Sequence, residues 1–193
     1  MRQFRSRTIR DRHRLKLLGI LRHAKSDWDD INLRDFDRGL NKRGRKGAAL
    51  MGDHIRKHGV KWEHVLASPA ARVKLTLESA GLDDGSEGAV EWQDKAYLAS
   101  SSTLLELIRN VDGDPDTLLL SGHNPGLQEL IFDLVPPESE NRMFDEAATK
   151  LPTAAFAVLE LEIDDWSAIT PGCGALVHFA RPRDLDPELG PES

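Results

Sequence analysis

Apolar positions along the chain recur in two rhythms. Short runs of strand length, Leu15 to Leu21, His64 to Ala67 after a lead-in from Val60, Thr117 to Ser121, Ala154 to Ile163 and Gly174 to Phe179, alternate with segments of helical spacing. Lys42 to His58 places Ala48, Met51 and Ile55 on one face, with Asn41 as N-cap and Gly59 as the C-terminal stop. Ser68-Pro69 reads as an N-cap serine followed by a proline at the first helical position, opening a helix that runs to Ala80 and stops at Gly81. Thr103 to Glu106 fits a capping box for a short helix ending near Asn110. Asn124 and Pro125 read as cap and N1 of a helix through Leu134. Glu91 to Tyr97 reads as a short strand or extended approach, and Pro136 to Leu151 as irregular or partly helical. Strands alternating with helices predict an α/β three-layer sandwich, a mostly parallel central sheet flanked by helices.

Composition narrows the class. The 193 residues suit one domain with a substantial core. A net charge of -6 argues against nucleic acid as a partner of the whole surface, and no apolar run is long enough to span a membrane. The single cysteine, Cys173, excludes an internal disulfide framework and a cysteine-based zinc site, and reads as a turn residue without chemistry. Charge is unevenly placed: Arg2, Arg5, Arg7, Arg10, Arg12, Arg14 and Lys16 face only Asp11. Residues 1–14 are therefore set apart as a basic, disordered arm; a targeting segment or an overlong start is the alternative. Residues 15–185 form the expected domain. The Pro-rich, acidic stretch from Arg181 reads as irregular, with a disordered tail over 186–193. A cytoplasmic location is expected, with organelle import through the Arg-rich start as the alternative.

Three strand-to-helix junctions carry residues suited to phosphate. The first strand ends in Arg22-His23, the second leads to Arg72, and the third leads to His123. Parallel strands bring their carboxyl ends to one edge of the sheet, where ligands bind in open α/β folds. Two histidines and two arginines at one edge suit phosphoryl transfer through a phosphohistidine. A neutral imidazole nitrogen can attack phosphorus, and guanidinium forks hold phosphoryl oxygens.

The chain resembles the histidine phosphatase superfamily, specifically its SixA-type phosphohistidine phosphatase branch. The resemblance rests on Leu21-Arg22-His23-Ala24-Lys25-Ser26, Leu40-Asn41-Lys42-Arg43-Gly44, Ser68-Pro69-Ala70-Ala71-Arg72 and Gly122-His123-Asn124-Pro125-Gly126, in that order. Leu151 to Ala155 and Arg181 to Leu185 also match. The resemblance implies a phosphoglycerate mutase-like fold with His23 as the nucleophile. Arg22 and Arg72 would hold the phosphoryl group, and His123 would complete the pocket. Ser26 and Asn124 are further candidates for substrate binding. It implies no metal and no cofactor.

One departure from the wider superfamily bears on the substrate. Many members place a carboxylic general acid where this chain reads Lys95-Ala96-Tyr97-Leu98-Ala99-Ser100, with no carboxylate after Tyr97. Glu91 and Asp94 lie nearby. Asp27, Asp29, Asp35 and Asp37 of the first loop are possible substitutes, each expected to be a solvated loop carboxylate. A phosphohistidine can expel neutral imidazole, whereas an alkyl phosphate depends on an acid worth about 10²–10⁴ in rate. The expected function is therefore a metal-independent phosphohistidine phosphatase acting on a phosphorelay or phosphotransfer protein. A phosphatase of small esters or anhydrides and a non-catalytic phosphate-binding module are the alternatives. His54 and His58 have a metal-capable i,i+4 spacing without an evident third ligand and read as solvated; His64 and His178 read as structural. Trp28 is placed to line or close the site, and Trp62, Trp92 and Trp166 read as core or edge packing.

Overall fold

The computed structural model describes residues 15–190. The expected basic arm, residues 1–14, and the last three residues lie outside them. Six strands form one sheet in the order β3-β2-β4-β1-β5-β6. They are β1 (Lys16–Arg22), β2 (His64–Ala67), β3 (Ala89–Trp92), β4 (Thr117–Gly122), β5 (Phe156–Leu161) and β6 (Gly174–Ala180). β1, β2, β3 and β4 pair in parallel, while β5 runs antiparallel to both β1 and β6. The mostly parallel α/β sandwich expected from the sequence is the architecture observed.

The strand period places alternate side chains on opposite faces. Leu18 and Ile20 of β1, Leu118 and Leu120 of β4, and Ala157 and Leu159 of β5 enter one core. That core is closed by α3 (Ser101–Arg109), α4 (Gly126–Leu134) and α5 (Arg142–Thr149). Leu21, Leu119, Phe156 and Val158 enter the other, closed by α1 (Lys42–His58) and α2 (Ala71–Ala80). Trp62 fills this second core with no exposed surface. Gly19 makes room for it: a Cβ there would lie 2.6 Å from the indole.

Local signals held at α1, where Asn41 accepts the Gly44 N–H at 2.8 Å and Gly59 closes the helix at φ 86°. They failed at three other helix starts. The third helix is capped by Ser100, one turn before the expected Thr103. α2 begins at Ala71, so Ser68 is not its cap and Pro69 is not N1. α4 begins at Gly126, after a cis Asn124–Pro125 bond, and Asn124 does not cap it. Pro136 to Leu151 is partly helical through α5, whose cap Asn141 accepts from Met143 and Phe144.

The stretch expected to be irregular from Arg181 is ordered through Gly190. It forms the short helix α6 (Pro182–Leu185) and a 3-10 turn at Pro187–Leu189. The expected disorder of 186–190 is thus corrected. Lys46 of α1 pairs with Asp186 and Glu188, and Arg43 donates to the Gly190 carbonyl, which fixes the segment against α1. Lys16, counted with the basic arm, is fully buried at the start of β1 and pairs with Asp114 at 2.8 Å. Among the described residues no helix is long and apolar enough to cross a membrane.

Candidate active site

The carboxyl ends of β1, β2 and β4 converge, as the parallel pairing requires. β1 ends in Arg22 opposite Gly122 of β4. The His23 N–H then donates to the Gly122 carbonyl. Ala24 follows and its N–H donates to Thr76 Oγ1 at 2.9 Å, so α2 anchors the turn that carries His23. β5 starts at this same edge because the Ala154 N–H donates to the Arg22 and His23 carbonyls. Its antiparallel course therefore delivers Leu151 to Thr153 beside Arg22.

His23 and His123 are both buried, with ring centroids 5.2 Å apart. His23 Nδ1 lies 2.8 Å from the Ala24 carbonyl. A carbonyl only accepts, so Nδ1 carries the proton and Nε2 carries the lone pair. Burial, reinforced by Arg72 and Arg22, pushes the His23 pKa down to about 4. Burial, with His23 and Arg72 beside it, pushes His123 down to about 3. Both rings are neutral at neutral pH, and His23 presents an unprotonated nitrogen.

Ser68 supplies a contact the sequence did not suggest. Its Oγ accepts from the Ala70 N–H at 3.4 Å and lies 2.8 Å from His123 Nε2. The hydroxyl and Nε2 share one hydrogen bond, whose direction follows the ring's tautomer. His123 Nδ1 is buried and makes no hydrogen bond with the described residues. Arg22 Nε is likewise buried without a hydrogen bond there. Arg22 Nε is a donor that a phosphoryl oxygen would satisfy, as is His123 Nδ1 in the tautomer that protonates it.

Arg72, only 4% exposed, donates to the Asp35 main-chain carbonyl at 2.6 Å and to Asp35 Oδ2 at 2.9 Å. Tyr97 donates to the same Oδ2 at 2.6 Å and packs edge-on against His123. Asp35 is therefore no solvated loop carboxylate. Its hydrogen bond from Tyr97, with those from Arg72, holds its carboxyl below the usual range. An Asp35 ionised at neutral pH is a poor proton donor. Glu91 is engaged elsewhere, by His64 at 2.7 Å and by Gln93.

The structure brings together Arg22, His23, Arg72 and His123, and it adds Ser68, Asp35 and Tyr97 to them. It gives Asn124 a task different from the one expected. Its Nδ2 donates to Gln128 Oε1 and to the Leu151 carbonyl, both at 3.2 Å. Both amide hydrogens are thus committed, and the amide supports the carbonyl that Arg22 Nη1 holds at 2.7 Å. Ser26 sits farther on, in an isolated bridge with Leu40 that closes the base of the first loop. Among the described residues no hydrogen bond links its hydroxyl to the four. Trp28 is 65% exposed and stacks under Arg38 rather than closing the site. His54 is not solvated: its Nε2 lies 2.9 Å from His178 Nε2, with His58 packed beside His178. No group of three or more His, Cys, Asp or Glu among the described residues has the arrangement to hold a metal ion.

Comparison with known proteins agrees with this geometry. A model of the histidine phosphatase superfamily (branch 1) matches residues 18–95. An uncharacterized protein of Mycobacterium tuberculosis is 34% identical over 164 residues, covering 84% of this chain and all of that protein. The chain belongs to the histidine phosphatase superfamily. Two solved structures refine the placement. One, proposed as a phosphohistidine phosphatase SixA from Nakamurella multipartitia, is 26% identical, with a TM-score of 0.76 over 87% of this chain and 96% of that one. The other, a protein histidine phosphatase SixA complexed with tungstate, is 25% identical, with a TM-score of 0.66 over 88% and 99%. Within the superfamily the chain is of the SixA type, a phosphatase.

Proposed function

We propose that the protein hydrolyses a phosphohistidine carried by another protein, without a metal, through a phosphoryl group held on His23 Nε2. In the first step the Nε2 lone pair attacks phosphorus and the substrate's P–N bond breaks. The leaving imidazole, protonated at its other nitrogen, departs neutral. In the second step water attacks the phosphoryl group, the P–Nε2 bond breaks and inorganic phosphate leaves with the water's oxygen. The His23 proton stays on Nδ1, hydrogen-bonded to the Ala24 carbonyl, so His23 in turn releases the phosphoryl group as a neutral imidazole. Arg22, Arg72 and the His123 Nδ1–H supply donors to the equatorial oxygens, where charge resides in the transition state.

The observation that carries this reading is the state of Asp35. Among the described residues the carboxylate hydrogen-bonded into the site is Asp35, which is ionised and already accepts from Arg72 and Tyr97. A site of this kind suits a leaving group that departs unaided. The resemblance to a SixA that binds tungstate, a tetrahedral oxyanion, supports the phosphoryl pocket. The test compares kcat/KM for a phosphohistidine protein with that for an alkyl phosphate such as a sugar phosphate. The reading expects a preference of at least about 10² for phosphohistidine, the low end of what a missing acid costs an ester. Equal or better turnover of the alkyl ester overturns it.

A further inference from the structure

Three histidines meet where α1 packs against the edge strand β6. His54 and His58 lie one turn apart on α1, and His178 faces them from β6. His54 Nε2 is 2.9 Å from His178 Nε2. The two rings are nearly parallel, with centroids 5.1 Å apart. The His178 ring is held by His58 at 4.4 Å and by Phe156 at 5.7 Å, measured between centroids. Along the sheet, His178 is opposite Val158, which is opposite Gly19, well down β1 from His23. β5 separates β6 from β1, so the cluster is distinct from the phosphoryl pocket. From this geometry we propose that His54 Nε2 and His178 Nε2 chelate one zinc ion, clamping α1 to the edge of the sheet.

The strand leaves its register to bring His178 there. β5 and β6 pair through Ala157–Phe179 and Val158–His178, then resume at Leu159–Leu176, which leaves Val177 without a strand partner in the ladder. Such a bulge re-aims the side chains beside it. Leu176 enters the core closed by α3, α4 and α5. Under regular alternation His178 would join it and Val177 would face α1. Instead Val177 is 38% exposed and His178 turns to His54. Packing alone favours the reverse, with valine inside and histidine in water. A metal ion supplies the reason for the exchange. Two Nε2 atoms 2.9 Å apart cannot both carry protons, so at least one lone pair already points into the gap. Zinc–imidazole bonds of 2.0–2.1 Å at a tetrahedral angle set two nitrogens about 3.3 Å apart. A small tilt of these partly exposed rings opens the gap to that span. The ring that donates in the present bond gives its Nε2 proton to solvent and takes one at Nδ1, so both rings bind zinc as neutral Nδ1–H imidazoles. Among the described residues no three-ligand centre is arranged here, and Asp53 is committed to Arg56 at 2.6 Å, so water fills the remaining positions on the ion.

The test uses the full, untagged chain stripped of metal, with zinc chloride as the probe. Long-range ¹H–¹⁵N spectra follow the histidine rings, and calorimetry gives the affinity. The inference expects the Nε2 resonances of His54 and His178 to shift together as zinc is added, with both rings ending in the Nδ1–H form. His54→Gln and His178→Gln should each weaken that binding at least about 10-fold, which is what removing even an outer partner of a metal ligand costs. Circular dichroism of the metal-free variants, expected to match the wild type, reports that they fold; both side chains are only partly buried. The ring shifts are read on the wild type, so they decide the matter even where a variant folds poorly. No zinc-dependent shift of either ring overturns the inference. So does a shift of one ring alone, or zinc affinity that is unchanged in the folded variants. None of these readings depends on which phosphoryl donor the enzyme prefers.

Discussion

Asp35→Asn separates a positioning carboxylate from a general acid. In the native site Asp35 Oδ2 accepts from Arg72 and from Tyr97, at 2.9 and 2.6 Å. Asparagine keeps one carbonyl oxygen but loses the charge and turns the second oxygen into a donor. A charge-assisted hydrogen bond is worth about 1.5–3 kcal/mol. With the Asp35 side chain 45% exposed, solvent screening reduces that to about 1–2 kcal/mol of lost support for Arg72. An opposing effect comes from removing a negative charge beside an incoming phosphoryl group, about 1 kcal/mol at 6 Å in a mostly aqueous dielectric. The two nearly offset, so kcat/KM should change by no more than about 10-fold. Moreover, the change should be the same for every leaving group, because in the proposed reaction Arg72 would meet the phosphoryl oxygens and not the departing atom. The assay is steady-state kinetics on phosphohistidine and on a series of aryl and alkyl phosphates of rising leaving-group pKa. A variant that loses 10²–10⁴ only on the poorest leaving groups would make Asp35 the general acid and refute the reasoning.

Ser68→Ala removes the buried hydroxyl hydrogen-bonded to His123 Nε2, a loss of about 1–3 kcal/mol, and kcat should fall about 10- to 100-fold. The ¹⁵N shifts of the His123 ring should then show a mixed tautomer; an unchanged tautomer would remove Ser68 from its positioning role. The depressed histidines also set an acid limit. His23 titrates near 4 when folded and near 6.5 when unfolded, so the unfolded chain binds the proton more tightly. Its stabilisation is complete above pH 6.5 and is lost as pH falls through 4, about 3 kcal/mol for this group, and denaturant titrations at pH 7 and pH 4 should show it. The acid limb of kcat/KM should centre near pH 4 rather than 6.5, because protonation at Nε2 would remove the proposed nucleophile. Gly19→Ala drives a methyl into Trp62 and should destabilise the fold by about 1–3 kcal/mol with kcat of the folded fraction unchanged.

The parts of this molecule that were legible in its sequence follow short-range rules. Strand runs, glycine stops and the Asn41 cap depend on neighbours within one turn, and parallel pairing then carries Arg22, His23, Arg72 and His123 to one edge. What was not legible depends on partners far along the chain. Ser68-Pro69 obeys the local rule for a helix start, yet the helix begins at Ala71 and the hydroxyl turns to His123, 55 residues away. Asn124 obeys the same rule and instead holds the Leu151 carbonyl. Asp35 looked like its neighbouring loop aspartates, and only the folded loop joins it to Tyr97, 62 positions later. The order of residues 186–190 likewise rests on ion pairs with Lys46, which composition alone does not foretell.

The central claim is that phosphorus is transferred to His23 Nε2. Rapid quenching of the enzyme with a ³²P-labelled phosphohistidine protein, followed by digestion and mapping, tests it directly. An acid-labile, alkali-stable label on the peptide carrying His23, absent from His23→Ala and chased by unlabelled substrate, is the predicted result. Hydrolysis that proceeds with no label on the wild type, or that survives His23→Ala, contradicts the account.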